Sequence, residues 1–515
     1  MTLRRPARAA GLLLAAAALG SLLGCSGNFA QGGPAAKVAP AAKGAPAAPV
    51  SRIERQAMAA AACSQQGQTP PVCCVSAAAC LSTARHPGRN GCLTAKELEM
   101  AKVAWRYFEN NEQKETGLVN AVDGYPSTTM WDTASYLGAL IAAQRLCLIS
   151  TNEFDRRVVA LLSTLSSLSL YRGELPNKVY NTKTAEKVNY GNAPGEIGFS
   201  ALDLGRLLIW LRILREDYPE HGNAADRVVM RWNFCHAVDS CGTLFGAYVD
   251  ADKKTVYAQE GRLGYEEYSA KGFDLWGAPA ARAALPEPYA VIPIFGVDIP
   301  YDTRDPRELK AHNYVVSESY ILDGVELNWD LSSDHSDDDL HHSNPWMADF
   351  ADRIYRVQEA RYKATGIITA RTEHQLDSAP YFVYDTIFSD GFAWNTITEE
   401  GQYSPRFAAI AIKGALGLWV LWDTPYTDLL FRIVANKFDP AKGFYEGIYE
   451  DGHGLIKTFT ANNNGILLEL LLYKVEGKLL RFSGAPSLWE HYLVNERMSG
   501  AARCVPRGAS CKDPP

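Results

Sequence analysis

Apolar residues recur every three or four positions along most of this chain, in blocks separated by polar loops rich in Gly and aromatic side chains. That spacing is the mark of α-helices that bury one face. It predicts helices over ELEMAKVAWRYFENN from Glu97, SYLGALIAAQRLCLI from Ser135, EFDRRVVALLSTLSSL from Glu153, GFSALDLGRLLIWLRILREDYP ending at Pro219, and AADRVVMRWN. Further on it predicts helices in PWMADFADRIYRVQEARYKAT, SPRFAAIAIKGALGLWVLW, PYTDLLFRIVANKF and NNNGILLELLLYKVEG. TLFGAYVD, KTVYAQE and YFVYDTIF are short, strand-like decorations between them. Strands do not alternate regularly with helices, which argues against a parallel α/β sheet. Gly117-Leu118-Val119, Gly198-Phe199, Gly391 to Trp394 and Gly443 to Glu446 echo one another in loops around long helices. The expected fold is mainly α, an (α/α)6 barrel or toroid with short β-hairpin decorations in its loops. A helical solenoid fits less well, because no regular repeat length is present.

The N-terminus changes the picture. Arg4, Arg5 and Arg8 precede an apolar run that stops at Leu22-Leu23-Gly24-Cys25. A positive start and a short apolar core describe an export signal, and LLGC resembles a bacterial lipobox. The chain therefore divides into a lipoprotein signal peptide at 1–25, an Ala/Gly/Pro tether at 26–50, a cysteine-rich lead at 51–93, a barrel domain at 94–500 and a tail at 501–515. Cys25 is the expected lipidation site. Ser26 after it favours the outer membrane, so the expected address is the cell envelope, with the lipid as the sole membrane attachment. Setting Cys25 aside leaves ten cysteines. An even number in an oxidising compartment suggests disulfides, with Cys235–Cys241 and Cys504–Cys511 as the favoured pairs. The net charge of −7 and the absence of a basic patch argue against nucleic acid. The 11 Trp, 25 Tyr and 18 Phe, many of them in loops, suit stacking on sugar faces.

Sugar hydrolysis needs two carboxyl groups, one to protonate the leaving oxygen and one to activate water or attack the sugar. Asp132 opens an apolar helix behind the hydroxyls of Ser127, Thr128 and Thr129, where helix N–H groups favour a negative charge. It either helps the helix start or faces a central cleft. Four acids are the catalytic candidates: Asp132, Glu196, Glu267 and Glu318. The candidates for holding substrate are Trp131, Glu174, Asn177, Tyr257, Glu260, Arg262, Tyr265, Lys271, Trp276, Asp323, Trp394, Asn395 and Glu446, with Lys178 beside them. Most of these acids are expected in Gly-rich, aromatic loops. The run from Asp334 to His342 has carboxylates and imidazoles but no familiar ligand spacing and no central Gly. It is expected to be a solvated loop, and no metal is expected there. Serine-hydrolase elbows, zinc-protease helices, phosphate loops and dinucleotide fingerprints are all missing, so no cofactor is expected.

TGLVNAVDGYPSTTMWDTASYLGALIAAQRL and EFDRRVVALLSTLSSLSLYRGELPNKVYNTKT resemble the DUF3131 family of bacterial envelope proteins. GNAPGEIGFSALDLGRLL, LGYEEYSAKGFDLWG, VQEARYKATGIITARTEHQLDSAPYFVYDTIF and NNNGILLELLLYK extend the likeness from about Glu97 to Lys474. That family is similar to glucoamylase-like and β-1,2-glucanase-like (α/α) barrels and is associated with exopolysaccharide genes. The resemblance implies an acid pair near Asp132 and Glu196. The expected function is a lipid-anchored glycoside hydrolase acting on an envelope or secreted polysaccharide. The alternatives are a non-catalytic glycan-binding lipoprotein and a scaffold in polysaccharide assembly or secretion.

Overall fold

The computed structural model describes residues 86–484, except 261, 279, 281 and 310–312. The described residues form twelve α-helices: α1 Ala95–Asn111, α2 Met130–Arg145, α3 Thr151–Ser167, α4 Ala201–Asp217, α5 Pro219–Met230, α6 Tyr265–Leu275, α7 Pro306–Leu309, α8 Glu318–Leu327, α9 Pro345–Thr365, α10 Ile412–Leu421, α11 Pro425–Val434 and α12 Ala461–Glu476. The even-numbered helices pack side by side, each against the next, and α12 closes onto α2. This is an (α/α) barrel, mainly helical as the periodicity predicts.

Burial separates the two rings. All ten residues of α8 and all ten of α10 are buried, because inner helices touch protein on every side. In α3, six of seventeen are buried, as one apolar stripe. Small residues bring the inner helices together. A Cβ on Gly272 of α6 would meet the Gly205 carbonyl oxygen of α4 at 2.0 Å. Helix starts follow the capping residues: Thr94, Thr129, Ser150, Ser200, Thr424 and Thr460 each accept a backbone N–H from the first turn.

The strands form small antiparallel sheets among the loops. Gly198–Phe199 pairs with Phe245–Val249, which pairs with Thr255–Gln259. Two elements differ from expectation. The helix expected from Ser404 begins only at Ile412, after a strand at Ala409–Ala411. A hairpin of Tyr289–Ile294 against Val297–Asp302 stands, with the one-turn α7, where another long outer helix would close the ring.

The disulfide expectation is corrected. Cys147 keeps its thiol, with Sγ 3.9 Å from the Arg145 carbonyl oxygen, so the even remainder does not resolve into five bridges. The backbone around Cys235 and Cys241 is held by side-chain turns, their N–H groups donating to Asn233 at 3.1 Å and Asp239 at 2.9 Å. Cys504 and Cys511, the signal with Cys25, the tether and nearly all of the cysteine-rich lead lie outside the described residues.

Candidate active site

First-turn residues of all six inner helices meet at one end of the barrel. Trp131 of α2 lies 5.7 Å, ring to ring, from Tyr265 of α6 and donates to Asn462 of α12 at 3.1 Å. Asn462 donates to Glu318 of α8 at 2.9 Å, and Glu318 is ion-paired to Lys413 of α10. Leu202 of α4 clusters with Tyr265.

Two acids occupy equivalent places on this floor. Asp132 and Asp203 are each the third residue of their helix, three positions after the capping hydroxyl. Thr129 Oγ1 accepts the Asp132 N–H at 3.1 Å and donates to its carboxylate at 2.8 Å. Ser200 Oγ accepts the Asp203 N–H at 3.2 Å and is shared between Asp203 Oδ1 at 3.0 Å and Glu260 Oε2 at 3.2 Å. Both aspartates are partly exposed, whereas most of the helix behind each is buried. Burial raises both pKa values. For Asp203 burial acts first and the nearby Glu260 charge adds to it, pushing the group up to about 7. For Asp132, the Thr129 hydrogen bonds and the positive charges of Arg206 and Lys413 oppose burial. Both carboxyl groups are thus raised, Asp203 with the help of a neighbouring negative charge and Asp132 against neighbouring positive ones.

A raised carboxyl pKa stabilises the fold below its unfolded value, and that stability is lost as pH rises through the folded value. Asp203→Asn should therefore raise Tm by about 2–5 °C near pH 8. The gain should vanish toward pH 4 in a calorimetric pH series. A pH-independent difference would contradict the Asp203 assignment.

Beneath the acids lies a buried polar network. Asn462 Oδ1 accepts from Trp131, from Ser135 at 3.0 Å and from Arg206 at 2.9 Å. Arg206 also donates to both Glu469 oxygens, at 3.0 and 3.2 Å, and lies 4.8 Å from the centre of the Trp131 ring. Lys413 faces Glu318, Glu373 and Glu446; burial disfavours its charge, but these acids raise its pKa on balance. Burial likewise raises Glu373 and Glu446, with Lys413 opposing.

A cleft of about 480 Å³ adjoins the acids through Glu260, with Lys178, Arg262, Tyr314, Tyr384 and Glu399 also among its walls. An aromatic row leads into it. Trp131 is followed by Tyr265, by Tyr314 at 6.1 Å and by Tyr384, stacked on Tyr314 at 4.3 Å. Arg262 lies over Tyr314 at 4.8 Å, and the Tyr265 hydroxyl is buried without a hydrogen-bond partner among the described residues. Rings, hydroxyls and carboxyl groups in one cleft suit a carbohydrate.

The site therefore gathers Asp132, Glu318, Trp131, Lys178, Glu260, Arg262, Tyr265 and Glu446 from the sequence candidates. It adds Asp203, Arg206, Tyr314, Glu373, Tyr384, Lys413 and Asn462. The phrase Ser200-Ala-Leu-Asp203 repeats the spacing of Thr129-Met-Trp-Asp132 and was the signal for Asp203.

Two catalytic candidates are reassigned. Glu196 is 43% exposed and paired with Lys187. Glu267 is buried in α6, not in a loop, and its oxygens accept the Gly264 N–H at 2.6 Å and the Glu287 N–H at 3.0 Å. Other candidates serve structure as well. Glu174 pairs with His236 at 2.7 Å, and Tyr257 stacks on that imidazole at 4.7 Å. Asn177 donates to the Val179 and Val188 carbonyls. Lys271 and Asp323 form a fully buried ion pair at 2.6 Å. Trp276 donates to the Leu208 carbonyl from the core. Trp394 covers Arg361 at 4.4 Å, and Asn395 ties down Ser389.

In the run from Asp334 to His342, Asp338 pairs with His341 at 2.7 Å, Asp339 pairs with Arg481, and His342 meets the Asn328 carbonyl. Among the described residues, the His and acid groups that converge are Asp155, Glu220 and His221, with ligand atoms within 4.8 Å of one another. They could chelate a divalent cation, but they lie on the outer helices α3 and α5.

Fold and site together define an (α/α) barrel with an acid floor beside an aromatic cleft. The chain belongs to the DUF3131 family, described as a protein of unknown function, whose model matches residues 99–477. No curated protein matches it. Among solved structures it is similar to an endo-β-1,2-glucanase from Chitinophaga pinensis in complex with sophorotriose and glucose. That match has 13% identity and a TM-score of 0.53, covering 78% of this chain and 98% of the other. An endo-β-1,2-glucanase from Talaromyces funiculosus in complex with sophorose matches at 12% identity and TM-score 0.52, over 74% and 85% of the two chains. A glucoamylase-like protein from Bacteroides caccae ATCC 43185 matches at 12% and 0.51, over 78% and 95%. At these identities the likeness establishes the fold.

Proposed function

We propose that this protein is a glycoside hydrolase that cleaves a bacterial envelope or secreted polysaccharide. The observation that carries the reading is the pair Asp132 and Asp203, set on equivalent first turns of adjacent inner helices beside an aromatic cleft that shares Glu260 with Asp203's hydroxyl partner. Asp203, pushed up to about 7 so that a large share is still protonated at neutral pH, serves as general acid to the leaving oxygen. Asp132, with Arg206 and Lys413 favouring its charge, activates water as the base. Trp131, Tyr265, Tyr314 and Tyr384 stack on the sugar chain, and Arg262 orients its hydroxyls. The similarity in fold to enzymes named for β-1,2-glucan cleavage supports β-glucans as first substrates.

Attachment through lipid on Cys25, and an outer-membrane address, belong to the same proposal and rest on the LLGC phrase. Cys25→Ser should abolish incorporation of labelled fatty acid; retained label would remove the anchor from the proposal. The activity is tested by reducing-end release from purified bacterial glucans and acidic exopolysaccharides. Release from at least one of them is expected, and no release from any of them contradicts hydrolysis.

A further inference from the structure

Glu260 is the third carboxylate of the site, and its placement is costly to arrange. It follows the strand Thr255–Gln259 and reaches across to the start of α4. Its Oε2 accepts the Ala201 N–H at 2.5 Å and the Leu202 N–H at 3.2 Å. Free N–H groups at a helix start favour an ionised carboxylate there. Space is cleared for it: a Cβ on Gly246 would meet Glu260 Oε1 at 2.0 Å. Ser200 caps only the Asp203 N–H, so Glu260 completes the α4 start by taking the two N–H groups before it. The same Ser200 hydroxyl touches both Glu260 and Asp203. The two carboxyl groups are therefore no further apart than those two hydrogen bonds laid end to end.

We infer that Glu260 is a positioning residue: anchored as an anion on the α4 N-terminus, it holds the proton on Asp203 across the shared Ser200 hydroxyl. This rests on the acid role given to Asp203 above. Two like charges so close cannot both form cheaply, and the helix N-terminus decides which one does. The upward shift of Asp203, with Glu260 the largest contributor after burial, agrees with the geometry. The other groups facing Asp203 are Asp132, which reinforces the effect, and Lys178, which opposes it. Tyr190 stands near both Asp203 and Glu260, and Arg262 shares the cleft.

The test follows the Asp203 carboxyl carbon by NMR in the full-length chain, its signal identified by its loss in Asp203→Asn. In the parent its midpoint is expected near 7. Glu260→Gln should lower the midpoint by about one pH unit or more. Ser200→Ala removes a donor to ionised Asp203 and should raise it, which keeps the test open if Glu260→Gln does not fold. The alkaline limb of kcat/KM should move with each midpoint. A midpoint left unmoved by Glu260→Gln would overturn the inference, whatever Ser200→Ala does. Midpoints that move in a protein releasing no sugar would uphold Glu260 and sink the hydrolase reading. Sugar release that depends on Asp203 while the midpoints stay fixed would do the reverse.

Discussion

Asp203→Asn and Asp132→Asn should each lower kcat on any polysaccharide the parent cleaves by about 10²–10⁴-fold, the usual contribution of a positioned acid or base. Oligosaccharide affinity should change little, because the rings of Trp131, Tyr265, Tyr314 and Tyr384 and the Arg262 guanidinium remain. Asn keeps the size of the side chain, and its amide can still meet Thr129 or Ser200. Glu196→Gln is the internal control: its carboxylate is exposed, and its ion pair with Lys187 adds little to stability. It should leave rate and Tm unchanged. A rate loss with Glu196→Gln equal to that with Asp203→Asn would restore the acid pair implied by the family resemblance.

The second large effect concerns stability. Arg206 is fully buried and holds together α2, α4 and α12 through Ser135, Asn462 and Glu469, with Glu326 of α8 also 3.7 Å away. Arg206→Ala would strand two buried carboxylates, and removing one partner of a buried network costs about 3–5 kcal/mol. The expected result is a clear fall in the urea midpoint at neutral pH. The fall should be smaller near pH 5. Glu326 is already raised to about 7, burial being the main cause, and Glu469 is raised for the same reason. Once Arg206 is gone, both can take up protons in acid and shed the cost. An equal loss at both pH values would mean the carboxylates are not what is stranded. Trp131, which stacks on Arg206, should lose its position at the same time.

The outer helices were legible because water lies on one of their faces. The stripe in α3 and the Pro-started α9 follow from spacing alone. The inner helices α6 and α8 are not legible, and on pattern alone their acids read as loop residues. Glu266, Glu267 and Lys271, then Glu318, Asp323 and Glu326, break the apolar pattern. They are nonetheless buried, because they pair with partners distant in sequence, as Lys271 does with Asp323. Pattern arguments assume that polar means solvated, and a barrel axis filled with ion pairs violates that assumption. Asp132 could be found because its capping hydroxyls and apolar helix are contiguous. Asp203 carries the same local signal, yet Glu196 drew attention by sitting in a Gly-rich loop. Tyr314, Tyr384 and Lys413 had no local signal, since only the closing of the ring brings them to the cleft.

The proposed chemistry depends on two aspartates, Asp203 as the acid and Asp132 as the base, acting on one bound sugar. The decisive measurement compares Asp203→Asn and Asp132→Asn on an aryl glycoside of the cleaved sugar whose phenolate leaves without needing a proton. Asp203→Asn should recover most of the parent's rate on this substrate, while Asp132→Asn stays inactive. Equal impairment of both variants, or recovery in Asp132→Asn alone, would contradict the division of roles on which the account stands.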